Sequence, residues 1–331
     1  MVTSRDVARA AGVSQATVSR VLNGNAKVDP ALRELVEAAR RELDYVPNAS
    51  AKSMRTAKSE TIGIVASEIL NPYFPRLLDA LTREARGRGL SVLLWNDEDP
   101  MAPMAQAAVA AGSVDGVVFA AARESTQGVD LLAGRGIPVM LVNRGWRDKP
   151  VDQVTSDHEA SGYQAADYFL RHGRERIATV FGPRDTFASP AREIGFRRRL
   201  DEAGISIAPE RWLVGTTSYE HGWAAGMALL AARPLPEAIF CSADVIAFGL
   251  LSALGAQGVQ VPEEVWVMGN DGLPMSAWQP FDLSTHRQPV EDIARIGMDR
   301  LVARMGGAHD DPHRILLPTE LIVRGSTAHC A

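Results

Sequence analysis

Thr3–Asn23 reads TSRDVARAAGVSQATVSRVLN. It is the pattern of two short helices joined by a tight turn. Thr3 is a helix-capping residue, and Asp6 follows three positions later as its reciprocal acidic partner. Val7, Ala8 and Ala11 share one helical face. Gly12 interrupts the pattern, because glycine accepts the backbone angles of a sharp turn without steric cost. Ser14 caps a second helix whose apolar residues are Val18, Val21 and Leu22. Its other face carries Gln15, Ala16, Thr17, Ser19 and Arg20, which are short, polar and rich in donors. A helix lying in a DNA major groove requires such a face. The same pattern also occurs in helical hairpins that never meet DNA, so the rest of the chain decides.

A third helix follows at once. Asp29 as cap and Pro30 in the first turn start it, and Leu32, Leu35, Val36, Ala39 and Leu43 form the predicted inward stripe. Three short helices around one small core make a head over residues 1–46. Tyr45-Val46-Pro47 ends it. Residues 47–60 then form a linker whose stretch NASAKSMRTAK is small and basic. It reads as a short helix that orders against DNA. Ala49 permits close approach to a minor groove, Met54 is an apolar wedge between base pairs, and Lys52 and Arg55 meet phosphates.

Composition constrains the remainder. The chain has 331 residues, 46% hydrophobic and 23% charged, with net charge −5. These values fit a soluble globular protein of two or three domains. No apolar run reaches membrane-spanning length, and the first residues enter a polar helix rather than a signal peptide. Cys241 and Cys330 are the two cysteines, too few for a disulfide framework. A reducing cytoplasm is the expected compartment. Residues 1–60 hold ten Lys/Arg and seven Asp/Glu, a formal +3, and the other residues hold 25 and 33, a formal −8. A basic head on an acidic body suits a protein that touches nucleic acid through the head alone.

From Thr61 the texture becomes α/β. Strand-like runs at 61–67, 91–95, 116–120 and 139–142 alternate with helical stretches at 74–88 and 101–111 and a further helix before 139. After 153–156 the alternation resumes with helices at 161–171, 191–203, 222–232, 245–257 and 289–305. The strands among them fall at 176–181, 212–215, 238–241 and 265–269. Such alternation predicts parallel sheets covered on both faces. Two lobes in succession, with facing strand ends, predict a cleft that encloses a small molecule.

With these motifs in order, the chain resembles the LacI/GalR family of bacterial transcriptional regulators. The matching stretches are DVARAAGVSQATVSRVLN, VPNASAKSMRTAKSETIGIV, NPYF at 71–74, DGVVF at 115–119, IPVMLVNR at 137–144, GFRRRL at 195–200, FCSADVIAFGLLSAL at 240–254 and RGST at 324–327. The resemblance implies an α/β chain: a helix-turn-helix head, a hinge, and a two-lobe, periplasmic-binding-protein-like, doubly wound effector domain. The first lobe is expected over 61–157 and 290–317, the second over 158–289 and 318–331. It implies no enzymatic activity and no cofactor or metal. It further implies a homodimer on a near-palindromic operator and a small-molecule effector whose binding in the cleft alters DNA affinity.

By motif, Gln15, Ala16 and Arg20 take the base-reading positions. Thr3, Ser14, Thr17, Ser19, Asn23 and Lys27 take phosphate or groove-edge positions, and Ala49, Lys52, Met54 and Arg55 take the hinge. Tyr73, Phe74, Asn143, Arg192, Asp271 and Gln288 take the effector site. An arginine beside a carboxylate and an amide suits sugar hydroxyls, so a sugar is the expected effector. A nucleobase or another metabolite is the alternative. The family's usual asparagine before Asp244 is Ala243 here, and its aromatic slot before Asp271 holds Asn270. Nothing resembling a leucine heptad follows RGST, which points to a dimer without a tetramerisation helix.

Two other readings fit less well. A dehydrogenase or kinase needs a glycine-rich phosphate loop after its first strand, and here that strand runs into SEILNPYFP. His309 and His313 flank an acidic loop rather than a metal-ligand pattern. A transport-type solute-binding protein accounts for the lobes but not for the head.

Overall fold

The computed structural model describes residues 2–22, 27–46, 58–66, 68–96, 112–120, 128–145, 150–232 and 234–328. The chain forms two compact units, Met1–Ser59 and Glu60–Ala331.

The first unit holds α1 (Ser4–Ala10), α2 (Gln15–Leu22) and α3 (Pro30–Glu42). Its caps follow the predicted chemistry. The Asp6 carboxylate accepts from the Thr3 N–H at 2.9 Å and from the Thr3 hydroxyl at 2.7 Å. Ser14 Oγ accepts from the Thr17 N–H at 3.1 Å, and the Asp29 carboxylate accepts from Ala31 N–H at 2.8 Å. Gly12 makes the turn at φ +64°. Val7, Ala8, Val18, Val21, Val36 and Ala39 form the core, with Leu22 and Leu43 packed at its edge. The predicted α3 stripe is corrected at two positions, since Leu32 is 38% and Leu35 52% exposed. The core of so small a head is narrow. At 100° per residue, Leu35 turns to the shoulder of the face made by Val36, Ala39 and Leu43, while Leu32 lies on that face in the first turn of α3 and is left outside the core cluster.

The second unit contains two six-stranded sheets. The first runs in the order β11-β5-β4-β3-β1-β2, with β1 Thr61–Ala66, β2 Ser91–Asn96, β3 Gly116–Phe119, β4 Val139–Val142, β5 Asp152–Ser156 and β11 Arg314–Leu317. Its pairings are parallel. The second runs β12-β10-β9-β8-β6-β7, with β6 Ile177–Phe181, β7 Trp212–Val214, β8 Ala238–Cys241, β9 Trp266–Asp271, β10 Ser284–Arg287 and β12 Glu320–Ile322. Only β12 runs antiparallel, against β10. Strands β10, β11 and β12 were not legible in the sequence. β10 is STHR, buried without an apolar run, while β11 and β12 are short and half-exposed. The helix expected at 101–111 lies outside the described residues.

Helices α4 (Tyr73–Gly87) and α10 (Val290–Met305) pack against the first sheet, and α5 (Gly128–Gly134) lies against β4. In the second sheet the side chains alternate between faces, as strand geometry requires. Ala238 and Phe240 meet the pair α6 (His158–Arg171) and α7 (Ala188–Glu202), and Ile239 and Cys241 meet α8 (Tyr219–Ala231) and α9 (Asp244–Ala256). α6 and α7 are in near-backbone contact. A Cβ on Gly195 would stand 1.8 Å from Glu159 O, and one on Gly162 would stand 2.0 Å from Arg192 O. That approach fixes where α7 presents Arg192. No helix among the described residues is long and apolar enough to cross a membrane.

Candidate functional site

The chain passes between the sheets after β5, after β10 and after β11. Residues at the strand ends, with Gln288 at the second of these crossings, surround a small polar cavity of about 50 Å³. All six cleft residues expected from the sequence line it: Tyr73 and Phe74 at the start of α4, Asn143 after β4, Arg192 on α7, Asp271 ending β9, and Gln288 after β10. Sequence reading missed Glu68, Asn71, Arg144, Thr186, Ser189, Thr217 and Ser242, which also line it. Two of these had a signal. Asn71 opens the NPYF motif, and Ser189 lies one helical turn before Arg192 on the same face.

The side chains are tied into one network. Tyr73 Oη donates to Asn143 Oδ1 at 2.9 Å. Gln288 Nε2 donates to Asp271 Oδ1 at 2.7 Å, and its Oε1 accepts from Ser156 Oγ at 2.9 Å. Gln288 thereby joins the end of a first-sheet strand to the end of a second-sheet strand. Arg192 is 4% exposed. It donates to Ser242 O, to His158 Nδ1 at 3.2 Å and to Asp271 Oδ1 at 3.3 Å. With the Asn270 amide oxygen turned towards it, Asn270 accepts from Arg192 Nη2 at 2.8 Å and Nε at 3.1 Å, while its amide nitrogen donates to Ser161 Oγ at 3.1 Å. The residue in the usual aromatic slot therefore holds the arginine from behind instead of lining the cavity. Because Arg192 only donates, His158 Nδ1 must accept, which leaves Nε2–H facing Thr155 Oγ1 at 3.3 Å.

Burial sets the electrostatics. It raises the Asp271 carboxyl to about 7, with nearby Asp244 adding to the rise and Arg192 opposing it. It lowers the Arg192 guanidinium, against the pull of Asp271. His158 is held well below its ordinary value by burial and by Arg192 and Arg144, so it stays neutral. Asp244 begins α9 under the site and accepts from Leu273 N–H, Ser276 Oγ and Thr285 Oγ1 at 2.8, 2.7 and 2.6 Å. It braces the loop after β9. Three lining residues have a positive φ: Glu68 at +55°, Asn143 at +58° and Asp271 at +143°. Each such conformation costs on the order of 1–3 kcal/mol, and such costs concentrate at functional sites.

On the first unit, Ser14, Gln15, Ala16 and Arg20 are exposed, Thr17 and Ser19 are half-buried, and Thr3 and Lys27 are exposed. Val18 and Val21 anchor the opposite side of α2 in the core. Gln15 Nε2 donates to Ser4 Oγ at 2.9 Å, which steadies it at the start of the helix. Asn23, Ala49, Lys52, Met54 and Arg55 lie outside the described residues.

Comparison with known proteins places this arrangement. Residues 3–48 match the model for bacterial regulatory proteins of the lacI family, and residues 166–327 match that for a periplasmic binding protein-like domain. The HTH-type transcriptional repressor PurR of Pasteurella multocida (strain Pm70) is 30% identical over 329 residues, 98% of each chain. A solved complex of the transcriptional regulator CelR with cellobiose is similar at 31% identity and a TM-score of 0.74, covering 98% of this chain and 100% of that one. A lac repressor dimer bound to operator and the anti-inducer ONPF is similar at 26% identity and a TM-score of 0.88, covering 99% of each chain. Head motif, two-sheet body and full-length similarity agree: the chain belongs to the LacI family of bacterial regulatory proteins and is a transcriptional regulator.

Proposed function

We propose that the chain is an operator-specific repressor, released or recruited by a small polyhydroxylated effector, most simply a sugar. The observation that carries the effector reading is the convergence of all six expected residues on one cavity, with a carboxylate, two amides and a buried guanidinium around it. Such a set pairs with hydroxyl donors and acceptors in close array. The CelR relative is solved with cellobiose, which supports a sugar over a nucleobase. In this reading residues 1–46 form the head, 47–60 the hinge, 61–157 with 290–317 one lobe, and 158–289 with 318–331 the other.

On DNA, Gln15 and Arg20 read adenine and guanine edges, and Ala16 contacts at most a thymine methyl. Thr3, Ser14, Thr17, Ser19, Asn23 and Lys27 hold phosphates or groove edges. Ala49, Lys52, Met54 and Arg55 act in the minor groove. The chain works in the cytoplasm as a homodimer and catalyses nothing.

Selection from a random duplex library tests the DNA half. A near-palindromic site should emerge, Arg20→Ala should relax preference at one base pair of each half-site, and deletion of residues 1–58 should abolish selection. Specific binding by the deleted chain would overturn it. A thermal-shift screen of sugars, nucleosides and amino acids tests the effector half. A shift with a nucleobase and none with any sugar would replace the sugar.

A further inference from the structure

A second and larger cavity lies beside the cleft. It has a volume of about 400 Å³, is open to solvent, and is walled by the β5–α6 crossing, the start of α7 and the edge strand β11. Its two sides come from different sheets. Leu316 of β11, 60% exposed, stands on one side, and Ile194 of α7, 58% exposed, stands on the other. Phe187, Pro190 and Ala191 complete an apolar surface. Large aliphatic side chains exposed on both sides of one hollow are an unfavourable arrangement in water, and burying them against a ligand is favourable.

The rim is charged, but its carboxylates are already used. Asp157 caps α6 by accepting from Ala160 N–H at 2.9 Å. Glu159 is paired with Arg198, and Asp185 has an interaction of its own. The cations are less engaged. Arg184 is 3.7 Å from Glu193 and largely exposed, and the exposed Arg314 makes no ion pair among the described residues. Apolar walls beside the exposed Arg314, with the largely exposed Arg184 held only by its long pair to Glu193, match an amphipathic acid.

We propose that this cavity is a second small-molecule site, and that it takes an organic anion with an apolar, aromatic or acyl, body. The site borders the effector cleft. Thr186 lines both. Phe187 packs edge-on against the His158 ring, with centroids 5.9 Å apart, and His158 accepts from Arg192 at 3.2 Å. A ligand wedged between Leu316 and Ile194 fixes the spacing of the two sheets, so its binding is coupled to that of the cleft ligand.

Titration of the full chain with 8-anilinonaphthalene-1-sulfonate, an aromatic sulfonate, tests this. The expected result is one saturable site per chain. Leu316→Asp, Ile194→Asp and Arg314→Glu each weaken it by about tenfold or more, about 1.4 kcal/mol. The uncharged analogue N-phenyl-1-naphthylamine binds more weakly and is indifferent to Arg314→Glu. Leu93→Asp, at an exposed position on β2, leaves the dye affinity unchanged. All substituted side chains are exposed, so the fold survives, and circular dichroism verifies it. Unchanged dye affinity in the three cavity variants overturns the proposal. So does an equal loss in Leu93→Asp, and so does a change of assembly state in the cavity variants with no change in dye binding, which would make this face a contact between copies of the chain.

Discussion

Replacing Arg192 with methionine should destabilise the body of the protein by an amount that grows with pH. The guanidinium is 4% exposed and donates to Ser242 O, His158, Asp271 and Asn270. Methionine keeps the apolar stem and deletes the donors. Removing one member of a buried ion pair costs about 3–5 kcal/mol when the other stays charged, and about 1–3 kcal/mol when only hydrogen-bonding groups are left unpaired. Which case applies depends on Asp271, whose carboxyl is already raised to about 7 by burial.

The folded state therefore holds a proton that the unfolded state, with an ordinary carboxyl, releases near pH 4. This group weakens stability as pH rises from about 4 to about 7. Without Arg192 its folded value rises further, and the loss continues above pH 7. At pH 5 the variant should lose about 1–3 kcal/mol, and at pH 8 about 1.4 kcal/mol more, because its Asp271 keeps the proton that the parent releases near pH 7. Urea titrations followed by tryptophan fluorescence at the two pH values measure both. Adding Asp271→Asn should remove the pH-dependent part of the loss, because no titratable carboxyl then faces the missing guanidinium. A loss below about 1 kcal/mol at pH 8, or one independent of pH, would refute the argument that these two groups are electrostatically joined.

Three other outcomes follow from the geometry. Arg76 on α4 donates to Gly272 O at 3.0 Å, beyond β9, and pairs with Glu291 at 3.2 Å. Because that pair is partly solvated, Arg76→Met should change stability by less than about 1 kcal/mol, yet increase the radius of gyration in solution scattering; an unchanged radius refutes the tether. Gly195→Ala should cost about 1–3 kcal/mol of overpacking, read as a lower urea midpoint, since its Cβ meets Glu159 O at 1.8 Å. A midpoint equal to that of the parent would show that α6 and α7 separate freely. His286 is fully buried and lowered to about 3. The unfolded chain gains a proton on it below about pH 6.5, so stability is lost between there and pH 3. His286→Leu should flatten the acid limb of the stability profile, and an identical acid limb would contradict this.

Local pattern carried much of the fold. The caps at Thr3, Ser14 and Asp29, the glycine turn at Gly12 and the apolar spacing of Val7, Val18 and Val21 are short-range features, and the head follows them because each acts within a turn or two of chain. The alternation of apolar runs with helical stretches likewise marked β1 to β4 and β6 to β9, because burial in a parallel sheet favours continuous apolar runs; β5, DQVTS, is buried without one. Tyr73, Phe74 and Asn143 were legible for a different reason: they sit in the NPYF and IPVMLVNR motifs, and a motif marks residue type and position without stating contacts, while Arg192, Asp271 and Gln288 came from the family resemblance alone.

Tertiary structure decided the rest. β10 is built of Ser, Thr and His, buried through pairing with β9 and β12 rather than through any apolar signal of its own. Leu32 fits the helical period as well as Val36 does and Leu35 lies at the edge of the same stripe, and only the packing of three helices left them outside. The pairing of Arg192 joins residues far apart in the chain. Ser242, Asn270 and Asp271 meet it because β8 and β9 of the second sheet end side by side, and His158 meets it because α6 packs on α7. Such contacts leave no mark on the local pattern, because their energy comes from burial and charge compensation that exist only once the chain has closed.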